Sequence, residues 1–162
     1  MGASNITTIE YAKITTDHEQ IRILTPEEFR KSYIKNQIQP FDAMVTYSSL
    51  EHSGLGRYGD SLNPWGDLIT MAKAWCVMKP KGRALIGVPS GLDEVFFNVG
   101  RNYGRIMSSH LFANWNIVHT EFNELKIDMP DFDINMFCEG DAIIWCYQPI
   151  TILEKPKFRI NQ

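Results

Sequence analysis

Residues 41–60 read Phe41-Asp-Ala-Met-Val-Thr-Tyr-Ser-Ser-Leu-Glu-His-Ser-Gly-Leu-Gly-Arg-Tyr-Gly-Asp60, and they carry the clearest structural pattern in the chain. The first part contains the apolar run Ala43-Met-Val45, which predicts a buried strand. The second part is a polar loop that three glycines interrupt. An open α/β sheet forms its binding sites from polar groups just beyond the carboxyl ends of its strands. This stretch therefore predicts a strand of the sheet together with a candidate site.

The segments around this stretch alternate between predicted strands and helices. Residues 5–10 and 20–24 are rich in β-branched or alternating apolar residues, which predicts two strands. Thr25-Pro-Glu-Glu28 predicts the start of a helix, because it combines a capping box with a proline in the first turn. Further predicted elements are helices through residues 68–75 and 106–115, and strands over residues 83–89, 116–122 and 141–147. This alternation predicts an α/β fold.

The size and composition of the chain predict one globular domain. Its 162 residues, with 44% hydrophobic and 22% charged side chains, suit a domain over residues 1–150 followed by a polar tail over residues 151–162. The formal charge of −3 argues against a dominant attraction to nucleic acid or to an anionic membrane. Three widely spaced cysteines give neither a disulfide framework nor a metal motif. The sequence shows no signal peptide or membrane segment, so we expect a cytoplasmic protein.

Three motifs, in this order of elements, resemble class I methyltransferases that depend on S-adenosylmethionine. The first is Phe41-Asp-Ala-Met-Val-Thr-Tyr-Ser-Ser-Leu-Glu-His52, and the second is the turn Met78-Lys-Pro-Lys-Gly82. The third, Gly54-Leu-Gly-Arg-Tyr-Gly-Asp60, is similar to an uncharacterised branch of that superfamily, a domain of unknown function. The resemblance covers residues 5–147. It implies a Rossmann-like fold with a mostly parallel sheet, helices on both faces and an antiparallel terminal strand.

The same resemblance implies S-adenosylmethionine as the cofactor. It places Glu10 at a strand end, where a carboxylate accepts hydrogen bonds from both ribose hydroxyls, and it places Thr25 near the adenine. Tyr47 and Ser48 would face the methionine end of the cofactor. The first strand and glycine-rich loop of the superfamily should precede residue 5, so we expect this chain to lack that strand-helix unit. An incomplete sheet of this kind would favour self-association.

Glu51 and His52 are the candidate catalytic residues. Methyl transfer from a sulfonium needs an in-line nucleophile, and it often needs a base that accepts the proton of that nucleophile. Histidine suits this task because it exchanges a proton near neutral pH. The structural alternative is that Glu51 braces the following loop and that His52 lines the sheet edge. A metal site built from His52, Asp60 and Asp67 is a further alternative, which their spacing does not require.

Six other polar residues are candidates for binding the methyl acceptor: Arg57, Tyr58, Asp60, Asn98, Arg101 and Tyr103. The first three lie in the glycine-rich loop and predict a lid or a substrate clamp. The structural alternative is that Arg57 pairs with Asp60 or Asp67 and fixes the loop. Arg101 would suit an anionic acceptor. The alternative for Asn98, Arg101 and Tyr103 is a solvated helix face. Two functions follow: a methyltransferase acting on a small molecule or another acceptor, and an inactive methyltransferase-like binding or scaffold protein.

Overall fold

A computed structural model describes residues 2–122, 125–127 and 148–157 of this chain. Its contacts divide the chain into two compact units, Met1–Gln39 and Pro40–Gln162. Each unit is described by itself below. The expectation of one domain over residues 1–150 stays a prediction. Within the described residues, no helix is long and apolar enough to cross a membrane.

The first unit contains two strands and one helix. Strands β1 (Ile6–Ile9) and β2 (Ile21–Leu24) pair in parallel. Helix α1 (Pro26–Ile34) begins at the predicted capping box, which is confirmed. The Thr25 hydroxyl oxygen accepts a hydrogen bond from the Glu28 N–H at 3.3 Å, and the Glu28 carboxylate accepts one from the Thr25 N–H at 2.8 Å. These reciprocal bonds satisfy two backbone donors that the first turn would otherwise leave unpaired.

The second unit contains a five-stranded sheet, a separate hairpin and two α-helices. In chain order its elements are β3 (Phe41–Tyr47), a 3-10 turn (Leu50–His52), α2 (Gly66–Val77), β4 (Met78–Gly87), β5 (Glu94–Phe96), β6 (Gly100–Asn102), α3 (Arg105–Leu111), β7 (Asn116–Phe122), β8 (Leu125–Ile127) and β9 (Ile150–Glu154). The predicted turn at residues 78–82 lies inside β4, next to a register shift in its pairing with β3. The predicted strand over residues 141–147 lies outside the described residues.

The strand directions contradict the expected Rossmann-like, mostly parallel sheet. The order of the sheet is β3-β4-β9-β7-β8. Among these described strands, β3 and β4 run parallel, whereas β9 is antiparallel to both β4 and β7, and β8 is antiparallel to β7. The prediction was wrong because residues 150–154, all but the first of which we expected in a polar tail, form a strand between β4 and β7. Strands β4 and β7 are therefore each paired with the antiparallel β9 and not with each other.

The segment between β4 and α3 forms a hairpin, whereas the alternative drawn from the sequence was a solvated helix face. Strands β5 and β6 form an antiparallel hairpin, and Phe97 and Asn98 lie in its turn. The Val99 N–H donates to the Phe96 carbonyl at 3.0 Å and closes that turn. Asn98 has a φ of +57°, a conformation that asparagine tolerates better than most residues. Arg101 is therefore on a strand, where alternate side chains point to opposite faces.

The core of the second unit lies between the sheet and its helices. Its fully or almost fully buried members come from β4, β9, α2 and α3, and they include Ala84, Ile86, Leu153, Met71 and Leu111. Leu50, in the 3-10 turn after β3, joins the same cluster. The start of the predicted polar loop is therefore attached to the apolar core, because its first large side chain is buried there.

Candidate functional site

The candidate site begins where the two parallel strands end. Tyr47 pairs with Gly87 at the carboxyl ends of β3 and β4, and the Ser48 N–H donates to the Gly87 carbonyl at 3.0 Å. The Tyr47 ring leans across β4 onto this glycine. A Cβ atom on residue 87 would lie 2.3 Å from Cδ2 of the ring, so the observed ring position requires glycine there.

Residues 54–66 form a compact loop whose two ends meet, and we refer to them as the 54–66 loop. The Asn63 N–H donates to the Gly54 carbonyl at 2.8 Å, and the Gly66 N–H donates to the Asn63 carbonyl at 3.0 Å. A Cβ atom on Gly66 would lie 2.7 Å from the Gly54 Cα atom. Glycines at both ends therefore allow this close approach, which gives an Ω-loop.

The Asp60 side chain holds the backbone inside the 54–66 loop. Its carboxylate accepts hydrogen bonds from the Gly54 N–H at 2.6 Å and from the Tyr58 N–H at 3.3 Å. Partial burial acts to raise the pKa of Asp60, but the backbone donors at Gly54 and Tyr58 outweigh it and lower the pKa below its ordinary value. The loop is thus held by a carboxylate that binds backbone, and not by the alternative Arg57–Asp60 pair.

The Arg101 side chain joins the two ends of the same loop from β6. Its guanidinium donates to the Glu51 carbonyl at 3.1 Å, to the Ser53 carbonyl at 2.7 Å and to the Pro64 carbonyl at 3.0 Å. The residue is only 1% exposed. The guanidinium is thus used within the protein, and the prediction that Arg101 binds an anionic acceptor stays a prediction.

Asp67 and Tyr103 extend this buried network into α2. The Tyr103 hydroxyl donates to Oδ2 of Asp67 at 2.9 Å, and Nε of Arg101 lies 3.6 Å from the same oxygen. Burial, followed by the neighbouring Asp67 charge, raises the pKa of the Tyr103 hydroxyl far above its ordinary value. Tyr103 therefore keeps its proton and serves as a hydrogen-bond donor within the network. The prediction that Tyr103 touches the acceptor stays a prediction.

Glu51 and His52 lie side by side in the 3-10 turn that follows β3. Glu51 is fully buried, and its Oε1 accepts a hydrogen bond from the Ser48 hydroxyl at 2.9 Å. Nε2 of His52 lies 3.7 Å from the same Oε1. Oε2 of Glu51 has no hydrogen-bond partner within the described part of the chain. The two side chains thus lie close together, and Glu51 also braces the turn, as the structural alternative proposed; their catalytic role stays a prediction.

The contact at Nδ1 of His52 shows which ring nitrogen carries the hydrogen. Nδ1 lies within hydrogen-bond distance of the Val99 carbonyl oxygen, at the tip of the β5–β6 hairpin. A carbonyl oxygen can only accept, so Nδ1 carries the hydrogen. In the neutral ring the lone pair is then on Nε2, the nitrogen that faces Glu51. The structure therefore identifies Nε2 as the basic nitrogen of His52.

Three exposed candidate residues surround His52. The Arg57 guanidinium donates to the Asn98 carbonyl at 3.5 Å and lies 5.8 Å from the centre of the Tyr58 ring. The rings of Tyr58 and His52 meet edge to face, with 5.5 Å between their centres. At the hairpin tip, the Asn98 carbonyl accepts a hydrogen bond from Arg57, and the next carbonyl, that of Val99, accepts one from His52. The structure thus brings His52, Arg57, Tyr58 and Asn98 together.

The two predicted cofactor residues of the first unit make local contacts. Glu10 is exposed, and its Oε1 accepts from the N–H groups of Tyr11 at 2.8 Å and Ala12 at 3.4 Å. The Thr25 hydroxyl takes part in the capping box of α1 and also donates to Glu28 at 2.8 Å. Their predicted contacts with the ribose and the adenine stay predictions.

Two features of the site were missed in the sequence. The sequence suggested Asp67 as a metal ligand or as a partner of Arg57, yet it accepts the Tyr103 hydrogen bond. Gly87 was read as part of an apolar strand, although a glycine inside such a strand often marks a close approach. The alternative metal site is not supported, because the described residues contain no group of three or more His, Cys, Asp or Glu side chains that could hold an ion.

A comparison with protein families identifies a match over most of the chain. The family model described as "Caenorhabditis protein of unknown function, DUF268" matches residues 1–136. The chain belongs to this family. The part matched to the DUF268 family contains every candidate residue from Glu10 to Tyr103. No curated protein and no solved structure matched the chain.

Proposed function

We propose that this DUF268 chain transfers a methyl group from S-adenosylmethionine to an acceptor that loses a proton, with His52 as the base. The observation that carries the proposal is the contact between Nδ1 of His52 and the Val99 carbonyl. It orients the ring and leaves Nε2 as a proton acceptor beside the ends of two parallel strands. The motifs around Phe41-Asp and Leu-Glu-His52, which resemble those of class I methyltransferases, support the same function.

Residues of the second unit fit a positively charged cofactor. S-adenosylmethionine supplies a methyl group bound to a positively charged sulfur. Tyr47 offers a ring that is 57% exposed at the end of β3. An aromatic face favours a cation. The Ser48 hydroxyl is bonded to Glu51, so we assign contact with the cofactor to Tyr47.

The role of His52 in this proposal is proton transfer. An acceptor hydroxyl or amine becomes a better nucleophile when a base removes its proton. Nε2 of His52 takes that proton, and the ring then carries a positive charge. The buried Glu51 carboxylate, 3.7 Å away, stabilises this charge, while the Val99 carbonyl keeps its bond to Nδ1. Ser48 holds Oε1 of Glu51 in place. Glu51 is in this scheme a positioning and charge-stabilising residue.

Titration calorimetry with S-adenosylmethionine tests the proposal. We expect the full chain to bind it at high micromolar protein. His52→Gln should retain this binding but lose transfer of a labelled methyl group into a mixture of small-molecule acceptors, because the amide does not accept the proton. Absence of binding by the wild-type chain would contradict the proposal. Equal methyl transfer by His52→Gln would remove His52 from the base role.

A binding or scaffold protein without catalysis is the second candidate function. The contacts of Arg101, Tyr103 and Asp60 favour it, because these side chains form hydrogen bonds inside the protein, around the 54–66 loop. A rigid polar loop of this kind serves recognition as well as chemistry. The same titration separates the two candidates, since a scaffold of this type is expected to bind no methyl donor.

A further inference from the structure

Strand β3 stands at the end of the five-stranded sheet of the second unit. Among the described strands of that sheet, it pairs only with β4. In a strand that is paired on one side, the backbone N–H and C=O groups that point the other way can bind a further strand. The Tyr47 ring leans onto Gly87 of β4, towards the paired side. The outer side of residues 43–47, which we refer to as the 43–47 edge, is therefore available for strand pairing.

The 43–47 edge lacks the features with which proteins usually protect an exposed strand. Such strands are commonly very short, or they contain lysine, other charged residues or proline. Residues 43–47 read Ala-Met-Val-Thr-Tyr, without a charged residue, a proline or a glycine. The nearest charge in the sequence is that of Asp42, and the Lys79 ammonium on β4 pairs with it at 2.7 Å. A register shift precedes Ala43, so the regular pairing with β4 covers this whole stretch.

One face of the 43–47 edge is exposed and largely apolar. Val45 is 73% exposed and Tyr47 is 57% exposed, whereas Met44 packs against the core from the opposite face. Alternate residues of a strand share a face, so the exposed Ala43 lies on the same side as Val45 and Tyr47. A second strand beside this edge would satisfy its backbone groups and would cover part of this apolar face.

The sequence of the 43–47 edge is complementary to a second copy of itself. In an antiparallel pair centred on Val45, the two Val45 side chains lie directly opposite each other, and Ala43 of each copy lies opposite Tyr47 of the other. A small side chain thus faces a large ring on both sides of the two-fold axis. Asp42 lies opposite Ser48 of the second copy, so no two like charges meet. The exposed apolar residues of both copies then share one face.

We propose that two copies of this chain form a symmetric dimer in which their β3 strands pair antiparallel, with Val45 at the two-fold axis, and join the two sheets into one. Each copy contributes the same surface to such an interface, so the assembly closes at two copies. The proposal rests on the edge of β3 and does not depend on the proposed methyl transfer.

Sedimentation velocity of the full chain over a range of concentrations tests the proposal. We expect a monomer–dimer equilibrium. Val45→Lys should raise the Kd of the dimer by about 10-fold or more, because it replaces the central apolar pair with two ammonium groups that face each other. Val118→Lys is the matched control. Val118 is 47% exposed, but its strand β7 is paired on both sides, so this variant should keep the wild-type Kd.

Val45→Cys tests the register of the two strands and avoids a new charge. Residues that lie directly opposite each other in an antiparallel pair have Cβ atoms close enough for a disulfide. We expect mild oxidation to join two chains through residue 45, and mass spectrometry of the linked peptide identifies the bond. Val118→Cys is the control for position, and the wild type, with its three native cysteines, gives the background. Circular dichroism establishes that each variant is folded.

Three results would overturn the proposal. The first is a wild-type chain that stays monomeric at the highest concentration reached. The second is a dimer whose Kd Val45→Lys leaves unchanged, or whose Kd Val118→Lys raises equally, since the 43–47 edge would then not be the interface. The third is a Val45→Cys variant that forms no more cross-linked dimer than Val118→Cys, which would contradict the antiparallel pair centred on residue 45.

Discussion

At the scale of single residues, two histidines of this chain have opposite hydrogen-bond roles at the same ring nitrogen. Nδ1 of His52 donates to the Val99 carbonyl, whereas Nδ1 of His18 accepts from the Gln20 N–H at 3.3 Å. An acceptor nitrogen carries no hydrogen, so the neutral His18 ring must carry its hydrogen on Nε2. The two rings therefore adopt opposite tautomers in the neutral state.

This difference gives the first prediction. In long-range proton–nitrogen correlation spectra, at a pH where both rings are neutral, His52 should show the Nδ1–H tautomer and His18 the Nε2–H tautomer. The signals are assigned by their disappearance in His52→Gln and His18→Gln. An Nε2–H tautomer at His52 would remove Nε2 as the base and would contradict the proposed mechanism.

Asp60 gives the second prediction, which concerns acid stability. The pKa of this carboxyl is lowered in the folded chain, since its backbone N–H donors outweigh the opposing effect of partial burial. The carboxylate therefore stabilises the folded state above the unfolded-state pKa of about 3.9, and this contribution is lost as the pH falls through the lower folded pKa. We expect the free energy of unfolding of Asp60→Asn to fall less steeply than that of the wild type on acidification below about pH 4.

Urea unfolding at a series of pH values measures this difference. Asp17→Asn is the control, because it makes the same chemical change at an exposed carboxylate that forms no hydrogen bond within the described residues. Equal acid slopes for the wild type and Asp60→Asn would show that the backbone bonds of Asp60 do not form in solution.

At the scale of elements, the 54–66 loop depends on two kinds of glycine. Gly54 and Gly59 have nearly the same φ, +79° and +80°. A Cβ atom on Gly54 would lie 2.1 Å from the Asn63 carbonyl oxygen, whereas a Cβ atom on Gly59 would meet nothing within 4 Å. Alanine would therefore adopt the same unfavourable backbone conformation at both positions, but only at Gly54 would its Cβ atom also clash with a neighbour.

The third prediction compares alanine at these two positions. Gly59→Ala should lower the free energy of unfolding by about 1–2 kcal/mol, the cost of a left-handed conformation for a residue with a Cβ atom. Gly54→Ala should cost more, because its Cβ atom also displaces the Asn63 backbone and opens the loop. Urea unfolding measures both values. Equal costs at the two positions would mean that the ends of the loop do not meet as described.

Elements that depend on neighbouring residues were predictable from the sequence. The start of α1 at Thr25-Pro-Glu-Glu28 is confirmed, because a capping box involves four consecutive residues. Helix α2 and strand β3 also formed where the apolar patterns predicted them. The predicted burial of β3 was wrong, because the strand stands at the end of the sheet order and Val45 is 73% exposed. The β5–β6 hairpin was not predicted. Each of its strands has only three residues, which is too short to show an alternation of apolar and polar side chains.

At the scale of the whole molecule, β9 decides how the second unit is built. It lies between β4 and β7, and its Leu153 pairs with Ala84 on one side and with Ile117 on the other. Leu153 and Ala84 are fully buried. A strand near the end of the described chain therefore completes the centre of the core, which forms around residues that lie far apart in the sequence.

The fourth prediction tests this central position. Leu153→Ala should lower the free energy of unfolding by about 2–5 kcal/mol, because it leaves a cavity in a close-packed core. Ile150→Ala in the same strand is the control, because that side chain is 40% exposed and should cost clearly less. Urea unfolding of the full chain measures both. A similar small cost for the two variants would place β9 outside the core.

Residues close together in the sequence were sufficient to predict α1, β3, α2, a buried strand through residues 83–87 and a polar loop after Tyr47. The grouping of His52 with Arg57 and Tyr58 was also within reach, since these residues are at most six positions apart. Local hydrogen bonds and local apolar periods determine such features, and both are written in short segments of the chain.

Other features depended on contacts between distant segments. The insertion of β9 between β4 and β7, which makes most neighbours antiparallel, joins residues about 70 positions apart. The burial of Arg101 depends on carbonyls at Glu51, Ser53 and Pro64, and the hydrogen on Nδ1 of His52 depends on the Val99 carbonyl. Strand order and the partner of a buried polar group are set by long-range packing and by the need to satisfy every buried donor, and a local pattern does not contain that information.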